Sequence, residues 1–423
     1  MNCSSFDTTS LLRKTVLPDG LTILSKHIPD VRSVSLGVWA WAGCRFEPEN
    51  QPGLAHFLEH MVFKGTPSRT AYQIAHSVES LGGHLNAFTG KELNCYFARV
   101  LDEHLPTAIS VLGDILKNST FEADLIEKER NVVIDEIRGL DDSPEDLANE
   151  IFANIAWRPS PLSRSILGTE EAVQSYSRDE LVSYLESRYR SDLMYVIAAG
   201  NVDHEQFVDM VSHQYDFGKS SLVETHLPVP PLWARQQEVI TRDISQTYLC
   251  YGGPGISFRD DRKYALFVLN TVLGAGMTSR LFQKVREDAG LVYTIYSDME
   301  MCTDSGLFYV GAGTDTEDSE QVLDMICGEF DKLCQESLTE HELSEAKSQL
   351  IGNLYLSLES STNVMNRIAR LEIYLGEYVS VKDTADAIRR VTVEEVLALS
   401  RDLLHADQQT LVMVGPPPAS NLL

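Results

Sequence analysis

The chain has 423 residues, which is long enough to form two or more domains with sizeable hydrophobic cores. Its hydrophobic content of 43% and charged content of 23% are typical of a soluble globular protein. The net charge of −27 excludes binding of nucleic acid through its phosphates and binding of an anionic membrane surface. Such acidity attracts basic peptides or serves solubility alone, and the composition leaves both interpretations open.

The cysteines and the N-terminal residues bear on the compartment of the protein. The seven cysteines are irregularly spaced and include no Cys-x-x-Cys pair, which is typical of free thiols in a reducing compartment. The first residues show no basic start followed by an apolar run, so no secretory signal is predicted. No stretch approaches the roughly 18 apolar residues of a membrane span. We therefore expect a cytoplasmic protein.

The first half of the chain alternates between short strands and helices. Residues 14–27 predict a hairpin around the turn Pro-Asp-Gly, and residues 33–42 predict a buried strand. A loop at 43–53, rich in glycine and proline, leads to a helix that begins near Leu54. The other elements predicted for this half are helices at 70–81, 103–117, 119–139, 144–156, 170–174, 178–188 and 203–215, two strands within 84–100, and a buried strand at 193–200.

The helix near Leu54 contains the sequence His-Phe-Leu-Glu-His at residues 56–60. His56 and His60 are four positions apart and Glu59 is three from His56, so the three side chains share one helix face. Two imidazoles in this arrangement can bind one zinc ion, and a carboxylate beside them can take a proton from water. The order is the reverse of the common zinc-protease motif. A pattern this short also occurs by chance at the end of an ordinary helix.

A catalytic zinc site usually takes three protein ligands, so the two imidazoles need a partner from elsewhere in the chain. The predicted helix at 119–139 offers Glu129 and Glu136, which lie two turns apart on one face. One of them is a candidate ligand, and the other is a candidate for orienting a ligand or the water. Most helix glutamates are solvated, and the composition alone favours that ordinary interpretation.

A stretch at 218–235 combines glycine, serine and proline without a clear period and predicts a linker. A similar order of elements follows it, which predicts two copies of one α+β unit, with domains at 1–217 and 236–423. The second copy has no histidine pair where the first has its motif helix, so only the first is predicted to bind zinc. The elements predicted for the second half are strands at 246–253, 291–299, 305–313 and 409–415, and helices at 259–274, 278–289, 318–336, 339–358, 361–376 and 392–403.

Two further segments are candidates for contact with a substrate. An exposed sheet edge at 84–89, beside a zinc site, could take an extended peptide as an added strand, whereas an ordinary interior strand is the alternative. Arg286 and Tyr293 could grip a substrate carbonyl or a developing oxyanion. Their ordinary interpretation is a surface arginine and a half-buried strand tyrosine.

Two separated motifs carry a likeness to a known family. They are His-Phe-Leu-Glu-His followed by Met-Val-Phe-Lys-Gly-Thr and, further on, Glu-Arg-Asn-Val-Val-Ile-Asp-Glu-Ile. The chain resembles the pitrilysin and insulinase family of zinc peptidases, especially the processing-peptidase branch with the mitochondrial processing peptidase β subunit and its bacterial relatives. The resemblance implies that His56, His60 and Glu136 bind zinc, with one ion per chain. It also implies that Glu59 is the general base and that Glu129 supports the metal ligands without binding the ion.

The resemblance also assigns roles to the two candidate substrate-binding segments. It implies that residues 84–89 pair with the substrate, with Asn86 and Ala87 near the scissile bond. It implies that Arg286 and Tyr293 complete the site from the second domain, which requires the two halves to close on each other. The expected fold is α+β, with two homologous domains, each a sheet covered by helices, that form half of a clamshell.

The sequence therefore predicts a zinc-dependent metalloendopeptidase that cleaves unstructured oligopeptides or precursor segments. Its expected substrate is a basic, extended peptide, and its expected assembly is a homodimer or a heterodimer with a sister subunit. The alternative is a non-catalytic structural or assembly subunit on the same fold. Such a subunit would show a broken zinc motif, whereas this chain keeps His56, Glu59, His60 and Glu136.

Overall fold

The structure is a computed structural model that describes residues 11–218, 231 and 233–417. The chain divides into two compact units that each combine segments from both halves of the sequence. Unit 1 comprises Met1–Ile137, Arg164–His226 and Leu356–Val381. Unit 2 comprises Arg138–Ser163, Leu227–Tyr355 and Lys382–Leu423. These units are discontinuous, unlike the predicted domains, and most of the predicted linker lies outside the described residues.

Unit 1 contains a six-stranded sheet in the order β1-β2-β6-β3-β5-β4. The β2–β6 pair is parallel, and all other neighbouring strands are antiparallel. The predicted hairpin is confirmed by the antiparallel pairing of the first two strands. The strands are β1 (Leu12–Val16), β2 (Thr22–His27), β3 (Ser33–Ala40), β4 (His84–Thr89), β5 (Asn94–Leu101) and β6 (Met194–Gly200).

Unit 2 contains a five-stranded sheet in the order β7-β11-β8-β10-β9. Its β7–β11 pair is parallel and the other pairs are antiparallel, so its strand order repeats that of β2-β6-β3-β5-β4. A π-helical segment, Phe282–Asp288, leads into β9. The strands are β7 (Gln236–Thr241), β8 (Gln246–Pro254), β9 (Val292–Met301), β10 (Gly306–Asp315) and β11 (Thr410–Gly415).

Helices of both units cover the sheets, which confirms the predicted α+β class. They are α1 (Leu54–Val62), α2 (Ala71–Glu79), α3 (Leu105–Asn118), α4 (Ala123–Asp141), α5 (Pro144–Ala156), α6 (Glu170–Ser175), α7 (Arg178–Arg188), α8 (His204–Gln214), α9 (Lys263–Leu273), α10 (Ser319–Gln335), α11 (Glu340–Ser357), α12 (Ser361–Leu375), α13 (Val381–Arg390) and α14 (Val393–Leu403). None of these helices combines the length and apolar character that a bilayer crossing requires. The six cysteines of the described ranges form no disulfide.

The central strands of unit 1 are buried on both faces. Val34, Leu36 and Val38 of β3 alternate along the strand and lie in the hydrophobic core formed with the helices. On the opposite face, α12 contacts β3 and β6, and the Ser35 hydroxyl lies 2.9 Å from that of Ser361. Burial of both faces explains the continuous apolar character that predicts β3 from the sequence.

A helix from the other half of the sequence covers one face of each sheet. In unit 1 this helix is α12, and in unit 2 it is α5, which contacts β8, β10 and β11. Leu147 and Phe152 of α5 form a buried cluster with Cys250 and Val412 of the sheet. Each unit therefore depends on one element that lies outside its own half of the chain.

The structure corrects three details of the predicted elements. Helix α4 begins at Ala123 rather than at residue 119, because the Ser119 hydroxyl donates to the Ile115 carbonyl at the end of α3 and Phe121 adopts a positive φ of 48°. Strand β7 and helix α13 are absent from the prediction. Strand β7 is a half-exposed edge strand whose polar residues give no strand-like alternation.

Candidate metal centre

Helix α1 buries one face in the core and leaves its motif residues on the other. Phe57, Leu58 and Met61 are buried, which fixes the rotation of the helix about its axis. His56 and His60 are one turn apart on the partly exposed face, and their ring centroids lie 4.6 Å apart. Packing of the apolar residues therefore presents the two imidazoles side by side.

A buried carboxylate fixes the start of helix α1. Gly53 precedes the helix with a φ of 93°, a conformation that suits glycine. The Glu47 carboxylate, in a residue only 5% exposed, accepts hydrogen bonds from the backbone N–H groups of Gly53 at 2.9 Å and Ala55 at 2.8 Å. Burial raises the pKa of Glu47 to about 8 despite these two hydrogen bonds.

Three side chains that suit a metal ion converge between α1 and α4. The Glu136 Oε2 atom lies 3.6 Å from His56 Nε2 and 3.5 Å from His60 Nε2. One ligand atom from each of these three residues lies within 4.8 Å of the ligand atoms of the other two. Among the described residues, this is the group of His, Cys, Asp or Glu side chains close enough to share a metal ion. Tetrahedral zinc with bonds of roughly 2.0–2.2 Å separates its ligand atoms by about 3.4 Å. Two imidazole nitrogens and one carboxylate oxygen therefore fit a zinc ion in both chemistry and spacing.

Glu129 orients the second imidazole. His60 Nδ1–H donates to Glu129 Oε1 at 2.8 Å, and Lys64 Nζ lies 2.7 Å from Glu129 Oε2. Because Nδ1 is engaged by this carboxylate, Nε2 is the nitrogen that faces Glu136. The same carboxylate contact is typical of histidines that bind zinc.

The pKa values of the two imidazoles are shifted in opposite directions. Burial, with the neighbouring His60 adding to it, lowers the pKa of His56 to about 4, so this imidazole is neutral at pH 7. Burial also acts on His60, but the Glu129 hydrogen bond and the Glu136 charge outweigh it and raise its pKa. A cation at Nε2 would compete with the proton there. Burial of Glu129 is outweighed by its bonds from His60 and Lys64, which lower its pKa.

Glu59 lies on the motif helix beside the metal-suited cluster and is held from the sheet. The Thr89 hydroxyl, at the end of β4, donates to Glu59 Oε2 at 2.5 Å. Burial raises the pKa of Glu59, and this hydrogen bond opposes the increase. A carboxylate with a raised pKa is better matched to proton transfer near neutral pH.

Strand β4 is an edge strand and has β5 as its only partner within the described part of the chain. Asn86 is exposed, and its Oδ1 atom accepts a hydrogen bond from Ala87 N–H at 2.9 Å. Ala87 packs against the hydrophobic core of unit 1. Among the described residues, no strand pairs with the outer edge of β4, and the Ala87 N–H is held by the Asn86 side chain.

Arg286 and Tyr293 lie in unit 2, whereas the other predicted site residues lie in unit 1. The Arg286 guanidinium lies over the Phe282 ring, 4.9 Å from its centroid, within the π-helical segment. Tyr293 is the second residue of the outer strand β9 and is 55% exposed, and its hydroxyl donates to Asp315 Oδ1 at 3.4 Å. Both side chains are partly accessible and are held by few contacts within their unit.

Sequence reasoning missed three residues that support the site. Lys64 follows His60 by four positions, a spacing that could have identified it as a neighbour on the same face. Thr89, at the end of β4, contacts Glu59 of α1. No local sequence pattern predicts such a contact between a strand and a helix. Glu47 lies in a loop and likewise shows no periodicity that would mark it as a cap.

Comparison with known proteins identifies the family. The model of the insulinase family, peptidase family M16, matches residues 22–170, and the model described as the peptidase M16 inactive domain matches residues 175–350. The chain therefore belongs to the insulinase family, peptidase family M16.

Full-length relatives agree with this assignment. The chain is 38% identical to an uncharacterized zinc protease of Streptomyces coelicolor, over 96% of this chain and 90% of the relative. It is 36% identical to the uncharacterized zinc protease YmxG of Bacillus subtilis, over 96% of this chain and 98% of the relative. A protease from Helicobacter pylori has the same fold, with a TM-score of 0.90 and 21% identity over 96% of this chain and 99% of that one.

Proposed function

We propose that this chain is a zinc-dependent metalloendopeptidase that cleaves unstructured oligopeptides or precursor segments. The observation that carries the proposal is the convergence of His56, His60 and Glu136 on a spacing that fits one zinc ion. The relatives named as zinc proteases support the choice of metal. We infer one ion per chain, because a single such cluster is found in the described residues.

Each residue of the cluster has a separate role in the proposed reaction. His56, His60 and Glu136 would hold the ion, which would supply Lewis acidity to a peptide carbonyl and lower the pKa of a water molecule. Glu59, held at Oε2 by Thr89, accepts the proton of the attacking water and passes it to the departing amine. Glu129 fixes the orientation of the His60 ring through Nδ1.

The substrate contacts are proposed from the free edge of β4 and from unit 2. An extended peptide would add to β4 as a further strand, with Asn86 and Ala87 beside the scissile bond. Arg286 and Tyr293 would donate to the substrate carbonyl or to the developing oxyanion. Their partial exposure leaves the donor groups accessible to a peptide.

The proposed substrate class follows from charge. The net charge of −27 favours a basic peptide over an acidic one. We place the chain in the processing-peptidase branch of the family, on the motifs that follow the two histidines, and propose that it assembles as a homodimer or with a sister subunit.

The second candidate is a non-catalytic structural subunit on the same fold. The match of residues 175–350 to the inactive-domain model is the observation in its favour. That match leaves out His56, Glu59, His60 and Glu136, which lie within residues 22–170 and keep the chemistry of a peptidase site. We therefore favour the peptidase.

The experiment is hydrolysis of a peptide library by the purified full-length chain, with products identified by mass spectrometry. Activity is expected in the zinc-loaded protein, to be lost with a chelator and to return with added zinc. Glu136→Gln should abolish both zinc binding and cleavage, whereas Glu127→Gln, an exposed carboxylate on the same helix, should change neither. A zinc-loaded protein that cleaves no peptide would support the structural subunit instead.

A further inference from the structure

A chain of hydrogen bonds connects Glu59 back to its own helix through the β4–β5 hairpin. The Thr89 hydroxyl donates to Glu59 Oε2 at 2.5 Å. Asn94 is the cross-strand partner of Thr89, and its Nδ2 atom lies 3.0 Å from Thr89 Oγ1. The same Nδ2 atom donates to the Ala55 carbonyl at 3.2 Å. The chain therefore runs from Ala55, next to His56, through two side chains of the hairpin to Glu59.

The chemistry of the groups fixes the direction of each hydrogen bond. The Ala55 carbonyl can only accept, so the Asn94 amide must present its NH₂ group on that side. The second N–H of this group then donates to Thr89 Oγ1, which uses a lone pair of the hydroxyl. A hydroxyl has one proton, and an ionised carboxylate can only accept, so the Thr89 proton points to Glu59.

Burial of Asn94 and the register of β4 with β5 stabilise this orientation of the Thr89 hydroxyl. Asn94 is fully buried, and Thr89 is the last residue of a strand whose register with β5 is set by six residue pairs. A glutamate side chain has several rotatable bonds, and a single strong donor restricts them. The described donor engages Oε2 and so restricts the rotation of the carboxylate.

We propose that Thr89 is a positioning residue for the general base, and that Asn94 sets the orientation of its hydroxyl. Thr89 holds the Glu59 carboxylate in one rotamer. This fixes the position of the carboxylate relative to the imidazoles, because Glu59 and the imidazoles belong to the same helix, α1. This inference rests on the proposed function, since it assigns Thr89 a role only if Glu59 moves protons.

The kinetic test compares Thr89→Val, which keeps the branched shape but lacks the donor, with Thr89→Ser, which keeps the donor. Thr89→Val should lower kcat by about tenfold to a hundredfold, with KM and zinc content close to wild type, because a misplaced catalytic group costs rate rather than binding. Thr89→Ser should restore most of kcat. A kcat for Thr89→Val within about twofold of an active wild type, or equal losses in both variants, would overturn the role of Thr89 and leave the proposed function intact.

A second measurement does not depend on activity. With a chelator present, Thr89→Val should lower the urea midpoint of unfolding in the wild-type background, because it leaves the half-buried Glu59 carboxylate without its donor. The same substitution should have a much smaller effect in the Glu59→Ala background. Equal shifts in the two backgrounds would show that Thr89 and Glu59 are not coupled and would overturn the proposal. Absence of cleavage by the wild type, with this coupling present, would instead count against the proposed function.

Discussion

The two units share one strand order but not one chemistry. In both, a helix follows the strand at the third position of the shared order: α1 follows β3, and α9 follows β8. Helix α1 presents two imidazoles and a carboxylate, whereas α9 is mostly apolar and almost entirely buried. The fold therefore supplies a helix in this place, and a few side chains decide whether it carries a site.

The link from the outer strand to this helix makes the same point. In unit 1 the Thr89 hydroxyl of β4 donates to Glu59 of α1, and in unit 2 the Ser297 hydroxyl of β9 donates to Asn270 Oδ1 of α9 at 2.7 Å. Both links join strand and helix through a side-chain hydrogen bond, which is partly buried in unit 1 and buried in unit 2. An amide as the helix-side partner of this hydrogen bond can only support the structure, whereas a carboxylate in the same place can also accept a proton.

The largest effect is expected where the two links differ. Glu59→Gln should retain zinc and lower kcat by about 10²- to 10⁴-fold, because the amide still packs but cannot accept a proton. Asn270→Ala, in the corresponding link of unit 2, should lower the stability of the protein without lowering its zinc content. Wild-type turnover by zinc-loaded Glu59→Gln, measured in a peptide assay, would show that the carboxylate in the link of unit 1 transfers no proton. The two links would then not differ in chemistry.

The second prediction asks whether unit 2 takes part in the reaction at all. Tyr293→Phe should lower kcat by roughly 10²-fold, the scale of one lost donor to an oxyanion, and should leave zinc content unchanged. Steady-state kinetics of Tyr293→Phe and Arg286→Ala test this directly. Unchanged kinetics in both variants would confine the chemistry to unit 1.

The third prediction concerns the carboxylate that orients His60. Glu129→Gln should weaken zinc binding by about 10- to 100-fold, because a neutral amide oxygen is a weaker acceptor for the His60 Nδ1–H than the charged carboxylate. Competition with a zinc chelator of known affinity measures the change. The matched control is Glu127→Gln, whose carboxylate is exposed on the same helix. Equal zinc affinities in the two variants would show that the Glu129 contact does not support the metal centre.

The sequence predicted the motif residues because they share one helix turn. His56, Glu59 and His60 lie within five consecutive residues, and Glu129 and Glu136 are two turns apart on α4. Periodicity made these residues candidates, and the resemblance to the peptidase family implied their roles. The roles of Glu47 and Thr89 depend on tertiary contacts between a loop or a strand and α1, for which no sequence period exists. The sequence also gave no sign that α5 covers the sheet of unit 2 or α12 that of unit 1, because an apolar stripe does not specify which sheet it meets.

The fourth prediction tests the Glu47 cap of α1; at the start of α9 a different carboxylate, that of Asp260, accepts from the Arg262 N–H at 2.8 Å. The folded protein holds the Glu47 proton up to a pH of about 8, whereas the unfolded chain releases it near the ordinary pKa of 4.5. The folded state thus binds more protons between these values, so this carboxylate lowers the free energy of unfolding as pH rises through that window.

Urea unfolding with a chelator at pH 5 and pH 8 measures the effect. Wild type should lose stability relative to Glu47→Gln between these two pH values, by an amount on the order of a few kcal/mol at most. Glu49→Gln, at an exposed position of the same loop, should follow wild type. A difference between wild type and Glu47→Gln that stays constant with pH would show that Glu47 titrates normally.

The smallest expected effect concerns charge. Arg-rich peptides should have a higher kcat/KM than matched Glu-rich peptides at about 0.1 M salt, and the ratio should approach one near 1 M, because the Debye length falls from about 10 Å to about 3 Å. Kinetics with the matched pair across this range measure the preference. Equal values at low salt would show that the net charge of −27 serves solubility alone.

The central claim is that one of the two similar units holds the metal. The most direct test is the zinc content of the purified protein and of two variants, Glu136→Ala in unit 1 and Glu345→Ala, an exposed carboxylate on α11 of unit 2. We expect one zinc per chain in wild type and in Glu345→Ala, and none in Glu136→Ala. Zinc content equal to wild type in Glu136→Ala, or two ions per chain in the wild type, would contradict the assignment.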